Sequence, residues 1–146
     1  MTTKPRFNLR AAVYLVLMKN QQILLLKRHN TGWQDGNYSL CSGHIDGGEP
    51  VTAAMIREAK EEIGITIQPS DLEVVHVMHR LSSDAEYIDF FLTARAWQGE
   101  PQNMELDKCS EVRWFKLDNL PKNTIENIVQ ALECVEKGVG FSEFGF

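Results

Sequence analysis

The chain has 146 residues, 43% hydrophobic and 24% charged, which suits one domain, 1–146, with one core and excludes a disordered or fibrous chain. A formal charge of −5 and an isoelectric point near 5.4 exclude a general attraction to nucleic acid or an anionic membrane, so a polyanionic ligand needs a local device such as bound metal. No stretch approaches the roughly 20 apolar residues of a membrane span, and Cys41, Cys109 and Cys134, without C-x-x-C spacing, point to a reducing cytoplasm.

In chain order, Ala11 to Lys19 and Ile23 to Arg28 are rich in Val, Leu and Ile and separated by a short polar step, which predicts a hairpin. The turn-rich loop NTGWQDGN follows, then a short strand, Tyr38 to Ser42, entering a glycine loop with Gly43, Gly47 and Gly48. A helix is predicted after Pro50, placed at the first helical position, and before Gly64, placed just past the end. Strands are predicted over Leu72 to Arg80, Glu86 to Trp97 and Glu111 to Lys116, with Trp97 and Trp114 in the core. A last helix runs from Ile125 to Lys137, with Thr124 as N-cap and Gly138 as its stop. Strands and helices mix without regular βαβ alternation, which predicts an α+β fold.

The helix between Pro50 and Gly64 carries an unusual charge pattern. Ile56, Ala59 and Ile63 form its apolar stripe, whereas Glu58, Glu61 and Glu62, spaced i, i+3, i+4, share the opposite face. Like charges at this spacing destabilise a helix by a few tenths of a kcal/mol per pair, and the macrodipole disfavours anions near its C-terminus. A glycine loop beside such a face lets backbone oxygens approach, so carboxylates and carbonyls can converge as Mg²⁺ or Mn²⁺ requires. The plain alternative is a solvated acidic face.

Gly43, Glu49 and the run Arg57-Glu58-Ala59-Lys60-Glu61-Glu62-Ile63-Gly64-Ile65 resemble the Nudix box, G-x5-E-x7-R-E-U-x-E-E-x-G-U, where U is a bulky aliphatic residue. Ala59 is small for its position, which concerns packing. The resemblance implies a Nudix fold, an α/β/α sandwich with a mixed β-sheet between helices, and hydrolysis of a nucleoside diphosphate linked to another moiety. It also implies that Glu58, Glu61 and Glu62 ligate Mg²⁺ or Mn²⁺ with a carbonyl of the Ser42–Gly43 turn, and that Arg57 orients the glutamates by pairing with Glu49 or Glu61. Glu61 or Glu62 would position the attacking water. Glu111 is the candidate for a further acid beyond the box, and Glu49 and Gly64 are structural within it.

Outside the box, Arg28 is a candidate phosphate contact, Trp33 a candidate stacking residue and His44 a candidate substrate contact, each set against ordinary packing or surface. Asp107, Lys108 and Cys109 are weaker candidates for a pocket mouth. The proline of ADP-ribose-acting relatives, the tyrosine of dinucleoside-polyphosphate-acting ones and the extra motifs of coenzyme A and NADH hydrolases are missing. By elimination the chain is similar to MutT-like nucleoside triphosphate diphosphatases, with a nucleotide as its small-molecule partner and a second copy of itself as the one protein partner considered. Two alternatives stay open: a nucleotide sensor without catalysis, and a hydrolase of a nucleotide sugar such as ADP-ribose.

Overall fold

A computed structural model describes residues 3–146. Eleven regular elements follow in order: β1 (Arg10–Val16), β2 (Met18–Lys19), β3 (Gln22–Arg28), β4 (Tyr38–Ser39), β5 (Cys41–His44), α1 (Val51–Ile63), β6 (Leu72–Leu81), β7 (Glu86–Ala94), β8 (Cys109–Lys116), α2 (Glu126–Glu136) and β9 (Phe141–Phe144). Strands β5-β1-β7-β6-β9 form a mixed sheet in which β1 runs parallel to β7 and β6 parallel to β9. Strands β2, β4 and β8 all pair with β3 in a second, antiparallel sheet.

The unbroken apolar run of β1 is explained by burial on both faces. Val13 and Leu15 pack with Ala54, Met55, Ala59 and Ile63 of α1, whereas Ala12, Tyr14 and Val16 pack with Ile128, Ala131 and Leu132 of α2. Period-two alternation therefore splits one strand between two cores, one beneath each helix. Each large aliphatic side chain so buried contributes on the order of 1.5–3 kcal/mol. The fold is α+β, sheet between helices, as expected.

The predicted first hairpin needs correction. The chain leaves the mixed sheet at Leu17, and only β2 pairs with β3, across a two-residue turn in which Asn20 and Gln21 have φ of 53° and 63°. Two left-handed residues match the twist of a tight hairpin, and asparagine tolerates that region. Tyr38 to Ser42 is likewise not one strand: β4 pairs with β3, β5 pairs with β1, and Leu40 carries the chain between the sheets.

Helix α1 ends as predicted at Gly64, φ 73°, whose N–H bonds the Lys60 carbonyl at 3.1 Å. Pro50 lies one position earlier than expected, as the extended N-cap, with its carbonyl accepting from Ala54 N–H at 3.0 Å. Ala54 and Met55 join Ala59 and Ile63 in the buried stripe, and Ile56 is half-buried at its edge. At α2 the N-cap is Ile125 rather than Thr124, whose hydroxyl instead donates to the Pro121 carbonyl at 2.7 Å. Trp97 and Trp114 are half-buried against the α1-side core. Cys41 and Cys109 are buried free thiols. Strand β9 was not anticipated. Among the described residues no helix is long and apolar enough to cross a membrane.

Candidate functional site

Arg57 is the hub of the acidic helix. Its guanidinium holds Glu49 through two N–H groups, at 2.6 and 3.2 Å, and donates to Glu58 at 2.7 Å and to the His44 carbonyl at 3.2 Å. Asp46 and Glu61 lie at 3.5 and 3.6 Å. Both expected partners, Glu49 and Glu61, are present, with Glu49 far better engaged, and the planar fork explains why an arginine suits this position. These contacts pull the Glu49 carboxyl below the usual range, first through the Arg57 hydrogen bonds, and push the Arg57 pKa up.

Gly43 lies in β5, not in a turn, and needs no special φ. Its role is clearance: a Cβ there would collide with the Glu58 carboxyl, which lies directly against the backbone. Of the three loop glycines only Gly48 is left-handed, φ 82°. On the same strand, Ser42 N–H donates to Glu62 Oε1 at 2.9 Å. Glu58 and Glu62 therefore both reach back from α1 onto β5, while Glu61 is half-exposed at its side.

Burial dominates the electrostatics here. It raises the Glu58 pKa against the opposing pull of Arg57. It pushes Glu62 up to about 8, with the Ser42 N–H opposing and the charges of Glu58 and Glu105 adding to the rise. The Cys41 thiol behind them is driven far up by the same burial and the same carboxylates. Sequence reasoning missed Glu105. It sits in the turn before β8, fixed where its N–H meets Asn103 and its carbonyl accepts from Lys108 and Cys109, each at 2.9 Å. A lone glutamate in an irregular PQNMELDK segment carries no spacing signal; only the packing of that turn over α1 reveals it, through Met104 N–H to the Glu62 carbonyl at 3.1 Å.

The donor set fits a hard divalent cation. Carboxylates share one helix face, the Glu58 carboxyl lies directly against the Gly43 backbone, and a deeply buried carboxyl has less compensating charge than its burial demands. Among the described residues no three such side chains already converge on one point, since Glu58 turns to Arg57 and Glu62 to Ser42.

Arg28 and Trp33 are brought together: Arg28 Nε donates to the Trp33 carbonyl at 2.7 Å, and its guanidinium lies 5.0 Å from the indole centroid. The Arg28 charge also reaches Glu62, where it opposes the pKa rise. Trp33 in turn lines a cavity of about 480 Å³, whose wall also includes Arg80, Asn123, Asn127 and Phe144. His44 is not part of this arrangement. It lies against Tyr87, 5.8 Å between centroids, and borders a separate depression with Arg10. Glu111 accepts from Tyr38 Oη at 2.8 Å on β8, and Cys109 is buried rather than at a pocket mouth.

An acidic helix keyed by one arginine and laid on a glycine-bearing strand, with the mixed sheet between it and a second helix, is the scaffold of MutT-like Nudix hydrolases. The NUDIX domain model matches residues 8–132, and the chain belongs to that family. It is 32% identical over 111 residues, 76% of its length, to an ADP-ribose pyrophosphatase of Methanocaldococcus jannaschii, and spans 64% of that protein. It is 27% identical over 97 residues to an Escherichia coli 8-oxo-dGTP diphosphatase, covering 66% of this chain and 74% of that one. A MutT NUDIX hydrolase from Burkholderia pseudomallei superposes with a TM-score of 0.80 at 29% identity, over 86% of this chain and 97% of the other.

Proposed function

We propose that the chain is a divalent-metal-dependent pyrophosphohydrolase of a nucleotide-linked substrate. The observation that carries this reading is the convergence of Glu58 and Glu62 from one helix onto the Ser42–Gly43 backbone, with Arg57 holding Glu58 and Glu49 in register. Glu58, Glu61 and Glu62, with the Gly43 carbonyl, would hold Mg²⁺ or Mn²⁺. The bound ion supplies Lewis-acid activation of the diphosphate and lowers the pKa of the attacking water. The chain's own part is positional. Arg57, held by Glu49 through two N–H groups, keeps Glu58 in its orientation. Burial of Glu62 would strengthen its attraction to a bound cation. Arg28, whose charge reaches Glu62, would offer a cation to the phosphate chain.

A nucleoside triphosphate is the preferred substrate, cleaved to monophosphate and pyrophosphate. The identity to an ADP-ribose pyrophosphatase supports a second reading, a nucleotide sugar. Hydrolysis of a panel of triphosphates and nucleotide sugars, with chromatography of the nucleotide product, separates them. Activity should vanish in EDTA and return with Mg²⁺ or Mn²⁺. Full activity in chelator overturns the metal assignment, release of nucleoside diphosphate with orthophosphate overturns the diphosphatase assignment, and tight binding without cleavage favours a sensor.

A further inference from the structure

Helix α1 packs on β5 and β1 from one side of the mixed sheet, and α2 packs on β6 and β9 from the other. The α1-facing side of β9, β6 and the start of β7 therefore has no helix over it. Strand registers and period-two alternation put Val77 and His79 of β6, Glu86 and Ile88 of β7, and Phe141 and Glu143 of β9 on that side. Val77, Ile88 and Phe141 belong to neither core. Phe141 is 55% exposed, and Phe146, 68% exposed, lies against His79 with ring centroids 4.6 Å apart. The charged residues of the patch are acids, Glu86 and Glu143, with no lysine or arginine among the six.

This face is firmly held from behind. Buried His76 clamps β9 at two points. The Val139 carbonyl, which can only accept, lies 2.7 Å from Nδ1, so Nδ1 carries the proton, and Nε2 accepts from the Ser142 hydroxyl at 2.8 Å. Gln130 of α2 donates to the Glu143 carbonyl at 3.0 Å. Phe141 is thus presented by a fixed strand.

A second unpartnered element lies at the other end of the chain. Residues 3–10 are all exposed, and 3–9 belong to no strand or helix. In an extended chain Pro5, Phe7 and Leu9 share one side. Phe7 is 72% and Leu9 45% exposed. The first acid in the sequence is Asp35, so Lys4, Arg6 and Arg10 make this arm basic on a protein of net charge −5. Fully extended, residues 3–9 reach about 23 Å, close to the rise of about 26 Å over residues 74–81 of β6. Strand β1 runs parallel to β7 with Arg10 beside Tyr87, so an arm continuing that line leads off the end of its own sheet and away from its own bare face.

We infer that the chain forms a two-fold dimer by exchanging these arms. Pro5, Phe7 and Leu9 of one copy cover Val77, Ile88 and Phe141 of the other, with Lys4 and Arg6 in the field of its Glu86 and Glu143. Charge selects this occupant: a basic arm is attracted to a face whose ionised groups are acids, whereas two such faces laid on one another would repel. A two-fold axis makes both contacts at once, because each copy carries one arm and one face. Each contact buries about 600 Å², and the two together about 1,200 Å², the lower end for a specific interface. The dimer is accordingly weak, with Kd on the order of 10 μM.

Sedimentation velocity of the full chain over about 1–200 μM tests this. The average mass should rise from monomer towards dimer. Phe7→Ser and Phe141→Ser, both at exposed positions, should each weaken association at least about tenfold with unchanged circular dichroism. Leu106→Ser, at a 78% exposed residue on neither element, should leave it unchanged. Arg6→Glu should weaken association, and adding Glu143→Lys should restore it, as charges brought close together do. A monomer at every concentration overturns the proposal. A dimer indifferent to Phe7→Ser or Phe141→Ser does so too, by placing the interface elsewhere, and so does a double variant no tighter than Arg6→Glu. A monomer whose Tm falls in Phe7→Ser would show the arm seated on its own face and overturns the exchange as well.

Discussion

Each face of the mixed sheet carries an arginine among carboxylates, and the two arrangements behave oppositely. On the α1 side, Arg57 is shared among Glu49, Glu58, Asp46 and Glu61 and keeps 29% of its side chain exposed. On the α2 side, Asp89 is the one carboxylate partner of Arg80, at 2.6 and 3.3 Å, both residues buried, with Tyr14 Oη at 3.5 Å and the Tyr87 ring centroid 4.2 Å from the guanidinium. A one-to-one buried ion pair leaves no spare charge, so it fixes structure. A shared, half-exposed cation leaves negative charge over, and Glu62 lies beyond its reach entirely. The side with uncompensated charge is the side that can take up a cation, and the balanced pair cannot.

The largest expected effect breaks the balanced side. Arg80→Met strands the Asp89 carboxylate in the core and should cost about 3–5 kcal/mol of unfolding free energy, measured by urea denaturation. A loss under 1 kcal/mol would mean the pair is not a fixed structural element.

On the unbalanced side, Glu62→Gln keeps shape and removes charge. Its kcat should fall at least about a hundredfold with the fold intact, read by steady-state kinetics and circular dichroism. Equal small losses in Glu62→Gln and Glu111→Gln would reduce the helix carboxylates to a solvated face.

Glu105→Gln sharpens the boundary of the unbalanced region. Because Glu105 rather than Glu111 adds to the field at Glu62, Glu105→Gln should lower kcat/KM about tenfold, with a smaller loss for Glu111→Gln. The reverse order would return the outlying acid to β8.

The smallest effect is a slope. In chelator, Glu62 has a folded pKa of about 8, above its ordinary value of 4.5. The folded state therefore binds the extra proton between those values, and stability should decline as pH rises through that window. Melting in EDTA should show Tm falling between pH 5.5 and 8.5 more steeply for the parent than for Glu62→Gln. Parallel curves would show that Glu62 ionises without penalty.

Much of this was legible in the residues themselves. The spacing of Glu58, Glu61 and Glu62 against Ile56, Ala59 and Ile63, with Pro50 and Gly64 at the ends, determines the helix, its register and its acidic face, because 100° per residue leaves little freedom. The tertiary structure decided what local pattern cannot encode. One apolar run, Ala11 to Lys19, divides between two sheets at Leu17, since hydrophobicity does not say which partner strand is nearer. Gly43 is a glycine because a carboxyl from α1 arrives there, a contact across the fold rather than a backbone demand. Glu105 joins Glu62 by the path of an irregular turn. Strand β9, four residues long, exists through parallel pairing and the His76 clamp. Its own sequence is too short to propagate a strand, so the stabilisation comes from β6 and the structure alone reveals it.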